Sequence, residues 1–174
     1  MNYFSAIDQG TTSTRFIVFD EEGTVIDQHQ EEFTQYLPDQ YSVEHNPEEI
    51  WNSVVNCIND VLTRVDVKKI SSVGITNQRE TTIAWSKSTG KPLYNALVWQ
   101  DTRTQDICNE IINNNELEQE FKKTGLPIAT YFSLSKIIWL MKNVPDVKKS
   151  LENNDVIFGT VDAWLIYKLN ESLQ

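Results

Sequence analysis

The segment Asp8-Gln9-Gly10-Thr11-Thr12-Ser13-Thr14-Arg15 gathers, within eight residues, the groups that a phosphate needs. Gly10 opens backbone conformations closed to other residues and lets a ligand approach closely. Successive N–H groups in a tight turn can form an anion-binding concavity. Thr11, Thr12 and Ser13 add hydroxyl donors, and Arg15 adds a forked cation suited to phosphate. Asp8 would repel a phosphate unless a cation stood between them. A Mg²⁺ held through water by Asp8 resolves that conflict, because Mg²⁺ favours one or two carboxylates together with phosphates. The same composition also suits a plain hairpin loop, and the residues alone leave both readings open. The segment lacks the Gly-Lys-Ser/Thr ending of a Walker loop and the glycine spacing of a dinucleotide site.

A second constellation runs from Gly74 to Thr82, where seven of nine residues are polar or charged between apolar strands. Arg79 and Glu80 at a strand end can read a polyol, the guanidinium donating to hydroxyl oxygens and the carboxylate accepting their protons. The alternative is an exposed hairpin with a solvated ion pair. Further along, Trp99 precedes Gln100-Asp101-Thr102, in which Asp101 or Thr102 suits a helix cap and Trp99 suits a core. Tyr131 offers a polar tip on an apolar wall, with core packing as the plainer outcome, and Ser133 or Ser135 suits a cap. His45 beside Glu44 can be read as a base, or as a surface or capping residue.

These groups require a scaffold, and hydrophobic periodicity outlines it. Tyr3–Ile7, Arg15–Phe19 and Thr24–Phe33 read as a three-stranded antiparallel meander. Asn46-Pro47-Glu48-Glu49 is a helix start with a good cap, a proline at the first position and a capping-box glutamate. Ile50, Trp51, Val54, Val55, Ile58, Val61, Leu62 and Val65 then define one apolar face of a helix of about five turns. Strands are predicted over Lys69–Thr76, Thr81–Trp85, Leu93–Trp99 and Asp155–Phe158. Helices are predicted over Thr102–Asn113, Glu116–Lys123, Ser135–Lys142 and Thr160–Leu169. The order gives an α/β domain with a mixed sheet. No internal repeat or interdomain linker interrupts it, and Asn170 to Gln174 ends without a cap or a basic tail, as a cut chain would.

Composition narrows the function classes. The 174 residues carry 25 acidic and 15 basic side chains, a formal charge of −10. That balance argues against a nucleic-acid binder or a polybasic membrane anchor. The longest apolar stretch, Ile137 to Met141, is far short of a membrane span, and no signal peptide is visible. Cys57 and Cys108 read as two reduced thiols in a cytoplasmic protein, and no Cys/His cluster has zinc spacing.

Taken together, several segments resemble one family. They are Ala6–Arg15, Val43–Pro47, Gly74–Thr82, Thr89–Ala96, Val98–Gln100, Thr124–Leu126, Tyr131–Asn143 and Phe158–Ile166. In order and spacing they are similar to the N-terminal part of the glycerol kinases, a branch of the FGGY carbohydrate kinases. The resemblance implies a ribonuclease H-like fold of the actin/hexokinase/Hsp70 type, with residues 1–174 forming an incomplete first domain and a second domain absent. It implies transfer of the γ-phosphoryl group of ATP, with Mg²⁺, to the terminal hydroxyl of glycerol. By position, Gly10, Thr11, Thr12, Ser13 and Arg15 correspond to phosphate contacts and Asp8 to the metal-side carboxylate. Arg79, Glu80 and Tyr131 correspond to ligands of the glycerol hydroxyls, and Trp99 to the wall against its carbons.

The sequence departs from the family pattern in three places. Asp39-Gln40-Tyr41-Ser42 stands where many members have Pro-Gly-Trp, Ala129-Thr130 stands where many bacterial members have Asp-Pro, and Leu134 replaces a small residue and is expected to crowd the neighbouring backbone. The family's catalytic aspartate, second phosphate loop and adenosine pocket are expected beyond Gln174, so no catalytic base is expected within this chain. The implied activity therefore belongs to the complete enzyme, and this chain alone is expected to be nearly inactive. Two alternatives remain beside that reading. One is another FGGY sugar kinase, acting on xylulose or gluconate, against which the Asn77–Thr82 string argues. The other is a truncated, non-catalytic homologue that binds or regulates, self-associating or pairing with a full-length relative through exposed apolar surface.

Overall fold

The computed structural model describes residues 2–171, so the reading of residues 172–174 as an uncapped tail lies outside the described residues. In chain order the elements are β1 (Tyr3–Gln9), β2 (Ser13–Phe19), β3 (Val25–Glu32), β4 (Glu44–His45), α1 (Pro47–Leu62), β5 (Ile70–Asn77), β6 (Ile83–Ser86) and β7 (Ala96–Leu97). There follow α2 (Gln105–Ile112), α3 (Asn115–Lys122), α4 (Ser133–Asn143), α5 (Pro145–Glu152), β8 (Val156–Gly159) and α6 (Val161–Glu171). They fall into two compact units. One takes in the described residues of Met1–Gln35, Asn46–Gln78 and Val161–Gln174, the other Tyr36–His45 and Arg79–Thr160.

The first unit is built on a four-stranded sheet of order β3-β2-β1-β5. The predicted meander is present, and β5 joins β1 in parallel, which makes the sheet mixed. A parallel pair needs a crossover, and α1 supplies it. Asn46 starts α1 by accepting the Glu48 N–H at 2.9 Å, and Pro47 occupies the first turn. Of the face predicted from spacing, Ile50, Val54 and Val61 are fully buried, Trp51, Val55, Ile58 and Leu62 are half-buried, and Cys57, not foreseen, joins the buried stripe. Strand alternation does the rest. Ser5, Ile7 and Gln9 of β1 and Thr14, Phe16 and Val18 of β2 are buried on the α1 side. Asp8, Ser13 and Arg15 therefore take the opposite face. Helix α6 closes the unit: Trp164 is buried and its Nε1 donates to the Pro47 carbonyl at 3.1 Å.

The second unit has two small antiparallel pairs, β4 with β7 and β6 with β8. Ala84, Leu97, Leu140, Val144 and Val147 form its buried centre, with Leu93, Tyr94 and Trp139 packed against them. Several sequence expectations shift here. The strand expected over Leu93–Trp99 is only two residues of ladder, flanked by single bridges at Trp85–Pro92 and Thr82–Leu97. Helix α2 starts at Gln105 rather than Thr102, although Asp101 accepts the Arg103 N–H at 3.0 Å as a cap would. Helix α5, started by Pro145, has no counterpart in the sequence reading. His45 is wholly buried in β4, which excludes the surface position considered for it. Both cysteines are free and buried. Among the described residues no helix is long and apolar enough to cross a membrane.

Candidate functional site

In the first unit the turn between β1 and β2 is closed by the Gly10 N–H, which donates to the Ser13 carbonyl at 2.9 Å. A Cβ at Gly10 would stand 3.1 Å from that same oxygen. Gly10 lies outside the left-handed region, so the requirement for glycine here is space and not backbone conformation. Behind the turn, Thr14 Oγ1 lies 2.7 Å from Gln9 Oε1 and 2.6 Å from Ser53 Oγ. This buried network fixes the ends of both strands, and nothing local in the sequence pointed to its third member on α1.

On the opposite face, Asp8 and Arg15 are direct cross-strand partners. Such a pair ordinarily attracts, yet no ion pair joins them, and the Asp8 carboxylate has no hydrogen-bond partner among the described residues. Arg15 instead gives its Nε to Gln30 Oε1 at 3.2 Å, and Gln30 Nε2 donates to Ser13 Oγ at 3.0 Å. Gln30 thus orients two of the expected phosphate contacts and was not anticipated. The remaining guanidinium N–H groups of Arg15 are unengaged by described residues. Thr12 is exposed and Thr11 half-buried in the turn. A half-buried, unpaired carboxylate facing an unsatisfied fork is a donor set that fits a hydrated Mg²⁺ beside a phosphate.

In the second unit Glu80 holds a left-handed backbone, φ 64°, which is uncommon for any residue but glycine. Its Oε2 accepts from the Ser133 N–H at 2.9 Å and from Ser133 Oγ at 2.7 Å. The carboxylate thus sits at the N-terminus of α4, where the helix dipole favours negative charge. The solvated Arg79–Glu80 pair considered from sequence does not form. Arg79 is exposed and no described residue pairs with its guanidinium. Trp99 is drawn alongside because its N–H donates to Thr81 Oγ1 at 3.2 Å. The Tyr131 ring meets Trp99 edge-on at 5.8 Å between centroids and Phe132 at 5.1 Å. Glu80, Trp99 and Tyr131 are therefore gathered in one cluster, with Arg79 adjacent in sequence and free. Leu134 is 40% exposed and shares the lining of a small cavity with Cys108, Phe132 and Ser135.

Two buried charged groups of this unit escaped the sequence reading. Lys136 has no exposed surface, and its Nζ donates to the carbonyls of Thr130, of Tyr131 at 2.9 Å and of Phe132 at 3.4 Å. Burial pushes its ammonium down to about 8, against the opposing pull of Asp101 and Glu80. Elsewhere in the unit, Arg103 bridges Glu44 and Asp101 at 2.8 Å each. The three side chains are 10%, 4% and 0% exposed. Burial works against the Arg103 charge, but its two carboxylates outweigh that and hold its pKa above the ordinary value. Glu44 also accepts from Tyr94 and Asn95, and Asp101 from the Val43 N–H, so the triad ties β4 to the turn after β7.

The N-terminal domain of the FGGY family of carbohydrate kinases matches residues 3–174. The chain belongs to the FGGY carbohydrate kinases. It is 48% identical over 169 residues to the glycerol kinase of Roseiflexus sp. (strain RS-1), covering 96% of this chain and 34% of that protein. With the glycerol kinase of Halothermothrix orenii it shares 49% over 170 residues, with the same coverages. The solved glycerol kinase of Plasmodium falciparum with ADP matches at a TM-score of 0.86 and 39% identity, over 96% of this chain and 34% of that one. A xylulose kinase from Lactobacillus acidophilus shares the fold at a TM-score of 0.82 and 22% identity, over 97% of this chain and 33% of its own. This FGGY chain thus spans about a third of the length of the relatives it matches.

Proposed function

We propose that this chain supplies the phosphate loop and most of the polyol contacts of an ATP-dependent glycerol kinase. The observation that carries the reading is the contrast among solved relatives: 39% identity to a glycerol kinase against 22% and 23% to a xylulose and a gluconate kinase of the same fold. In this reading Asp8 holds a hydrated Mg²⁺, and the Gly10 turn lets Thr11, Thr12, Ser13 and Arg15 close on the nucleotide phosphates. Arg79, Glu80 and Tyr131 hold the glycerol hydroxyls and Trp99 lies against its carbons. When bound, ATP supplies the phosphoryl group and Mg²⁺ neutralises its charge. Glu80 enters already oriented by Ser133, and Arg79 enters free, so hydroxyls meet one fixed acceptor and one mobile donor. Such transfer depends on positioning and charge neutralisation. The general base lies outside these residues, and its loss commonly costs about 10²- to 10⁴-fold.

The test is formation of glycerol 3-phosphate from ATP, Mg²⁺ and glycerol, read by mass spectrometry. It is run on the 174-residue chain and on the longest product of its gene. The expected result is turnover by a longer product and blank-level turnover by the chain, with Arg79→Ala raising the glycerol KM of the active form about 10-fold or more. Faster phosphorylation of xylulose or gluconate than of glycerol would overturn the substrate, and full turnover by the 174-residue chain would overturn the missing base.

A further inference from the structure

We propose that His29, Glu31 and Cys57 form a binding site for a borderline transition-metal dication, of the Zn²⁺ or Co²⁺ kind, linking β3 to α1. A ring nitrogen of His29, a carboxylate oxygen of Glu31 and Cys57 Sγ all lie within 4.8 Å of one another. The three come from two elements for a geometric reason. His29 and Glu31 are two apart on β3 and share a face. Cys57 belongs to the buried stripe of α1, which packs against that strand.

The donor set is one imidazole, one carboxylate and one thiolate, which suits zinc and its analogues rather than Mg²⁺ or Ca²⁺. Ligands on a common tetrahedral zinc stand about 3.3–3.6 Å apart, given Zn–S and Zn–N lengths near 2.3 and 2.0 Å. Closing from the present separations asks for a movement of roughly an ångström. His29 and Glu31 can make it by rotation because both are only half-buried. The surrounding contacts are those of a supported site. His29 Nδ1 is 3.2 Å from Asp60 Oδ1, and that carboxylate is itself fixed by Arg64 at 2.6 Å. Asp60 thereby orients the imidazole, the usual arrangement behind a metal-bound histidine. Glu31 Oε1 takes one hydrogen bond from Asn56 at 3.1 Å and keeps its other oxygen available. The Cys57 thiol, a weak donor, gives its S–H to the Thr14 carbonyl at 3.5 Å, and its sulfur also takes backbone hydrogen bonds from Glu31 and Phe16. Coordination breaks its S–H bond, forms the sulfur–metal bond and releases one proton to the buffer.

The experiment is a Co²⁺ titration of the reduced 174-residue chain, followed by absorption. The expected result is one equivalent bound, with a near-ultraviolet thiolate-to-cobalt charge-transfer band and visible bands of a tetrahedral ion, displaced by Zn²⁺. Cys57→Ser removes the charge-transfer band, while Cys108→Ser leaves it intact. His29→Gln and Glu31→Gln lower the affinity at least 10-fold, and Asp60→Asn lowers it about 10- to 100-fold. Circular dichroism of each metal-free variant checks folding. If Cys57→Ser fails to fold, the two half-exposed variants decide. No charge-transfer band in the folded wild-type chain overturns the site, as does a band that survives Cys57→Ser or affinities unmoved by His29→Gln and Glu31→Gln.

Discussion

Replacing Arg103 by methionine would strip the cation that bridges two carboxylates with almost no access to water. Arg103 reaches Glu44 and Asp101 at 2.8 Å each. At an effective dielectric near 20, each such contact is worth about 6 kcal/mol of attraction. Most of that is offset by the cost of desolvating three charges, several kcal/mol apiece. Removing one partner leaves that cost standing, and such losses run to about 3–5 kcal/mol. The guanidinium also lies 4.7 Å over the Trp139 ring. That stacking adds about 0.5–1 kcal/mol, part of which the methionine side chain retains. The expected net loss is about 4 kcal/mol, a fall in Tm of about 8–16 °C for a chain of this size. Arg103→Lys keeps the charge but cannot fork, and should lose about 2 kcal/mol. Urea unfolding at 25 °C, followed by circular dichroism and tryptophan fluorescence, measures both. A loss below about 1 kcal/mol for Arg103→Met at unchanged m-value would mean that the carboxylates are solvated, which would refute the reasoning.

Gly10→Ala places a methyl group 3.1 Å from the Ser13 carbonyl, so the turn must yield by a few tenths of an ångström. In an active, longer form of the protein this should raise the ATP KM about 10-fold, and steady-state kinetics with an unchanged KM would dismiss the close approach. Lys136 gives a pH signature. Its folded-state pKa of about 8 lies below its ordinary 10.5, so between these values the unfolded chain binds more protons. Stability should therefore rise from pH 8 towards pH 10.5, and Lys136→Met should flatten that rise. Urea midpoints at pH 7, 8, 9 and 10 check this, and equal slopes in both proteins would contradict it.

What the sequence made legible was local. Helix α1 could be read because its cap, its proline and its apolar stripe all lie within about five turns. The turn at Gly10 stood out through residue types alone, although the reason for the glycine was steric, which only the Ser13 carbonyl reveals. Strand β7 was overdrawn because Leu93 and Val98 are apolar for packing, while the ladder spans only Ala96 and Leu97. Helix α5 was invisible because its eight residues are mostly polar, with Val147 as the buried anchor. The supports of the cluster of Glu80, Trp99 and Tyr131 are long-range and polar. Ser133 meets Glu80 across 53 residues, and a buried Lys136 in a stripe that otherwise reads as an ordinary helix carries no local mark. Family resemblance named the expected ligand residues. It did not indicate which of them would stand fixed and which free.

The first unit is assembled from three separate stretches of chain, and this bears on the order in which it can be made. Its hairpin contact between Gln9 and Thr14 closes over 5 residues, whereas the bond from Trp164 to Pro47 closes over 117. At about 0.6 kcal/mol per doubling of loop length, that difference of between four and five doublings costs roughly 3 kcal/mol of chain entropy. On the ribosome, β1 to β5 would emerge and pair well before Trp164 and Asp162 exist. The Asn77 side chain and the Pro47 carbonyl must then wait for partners 85 and 117 residues away. Completion of the first unit is thus tied to synthesis of the whole second one, and a stall in translation before Val161 would leave a sheet without its closing helix.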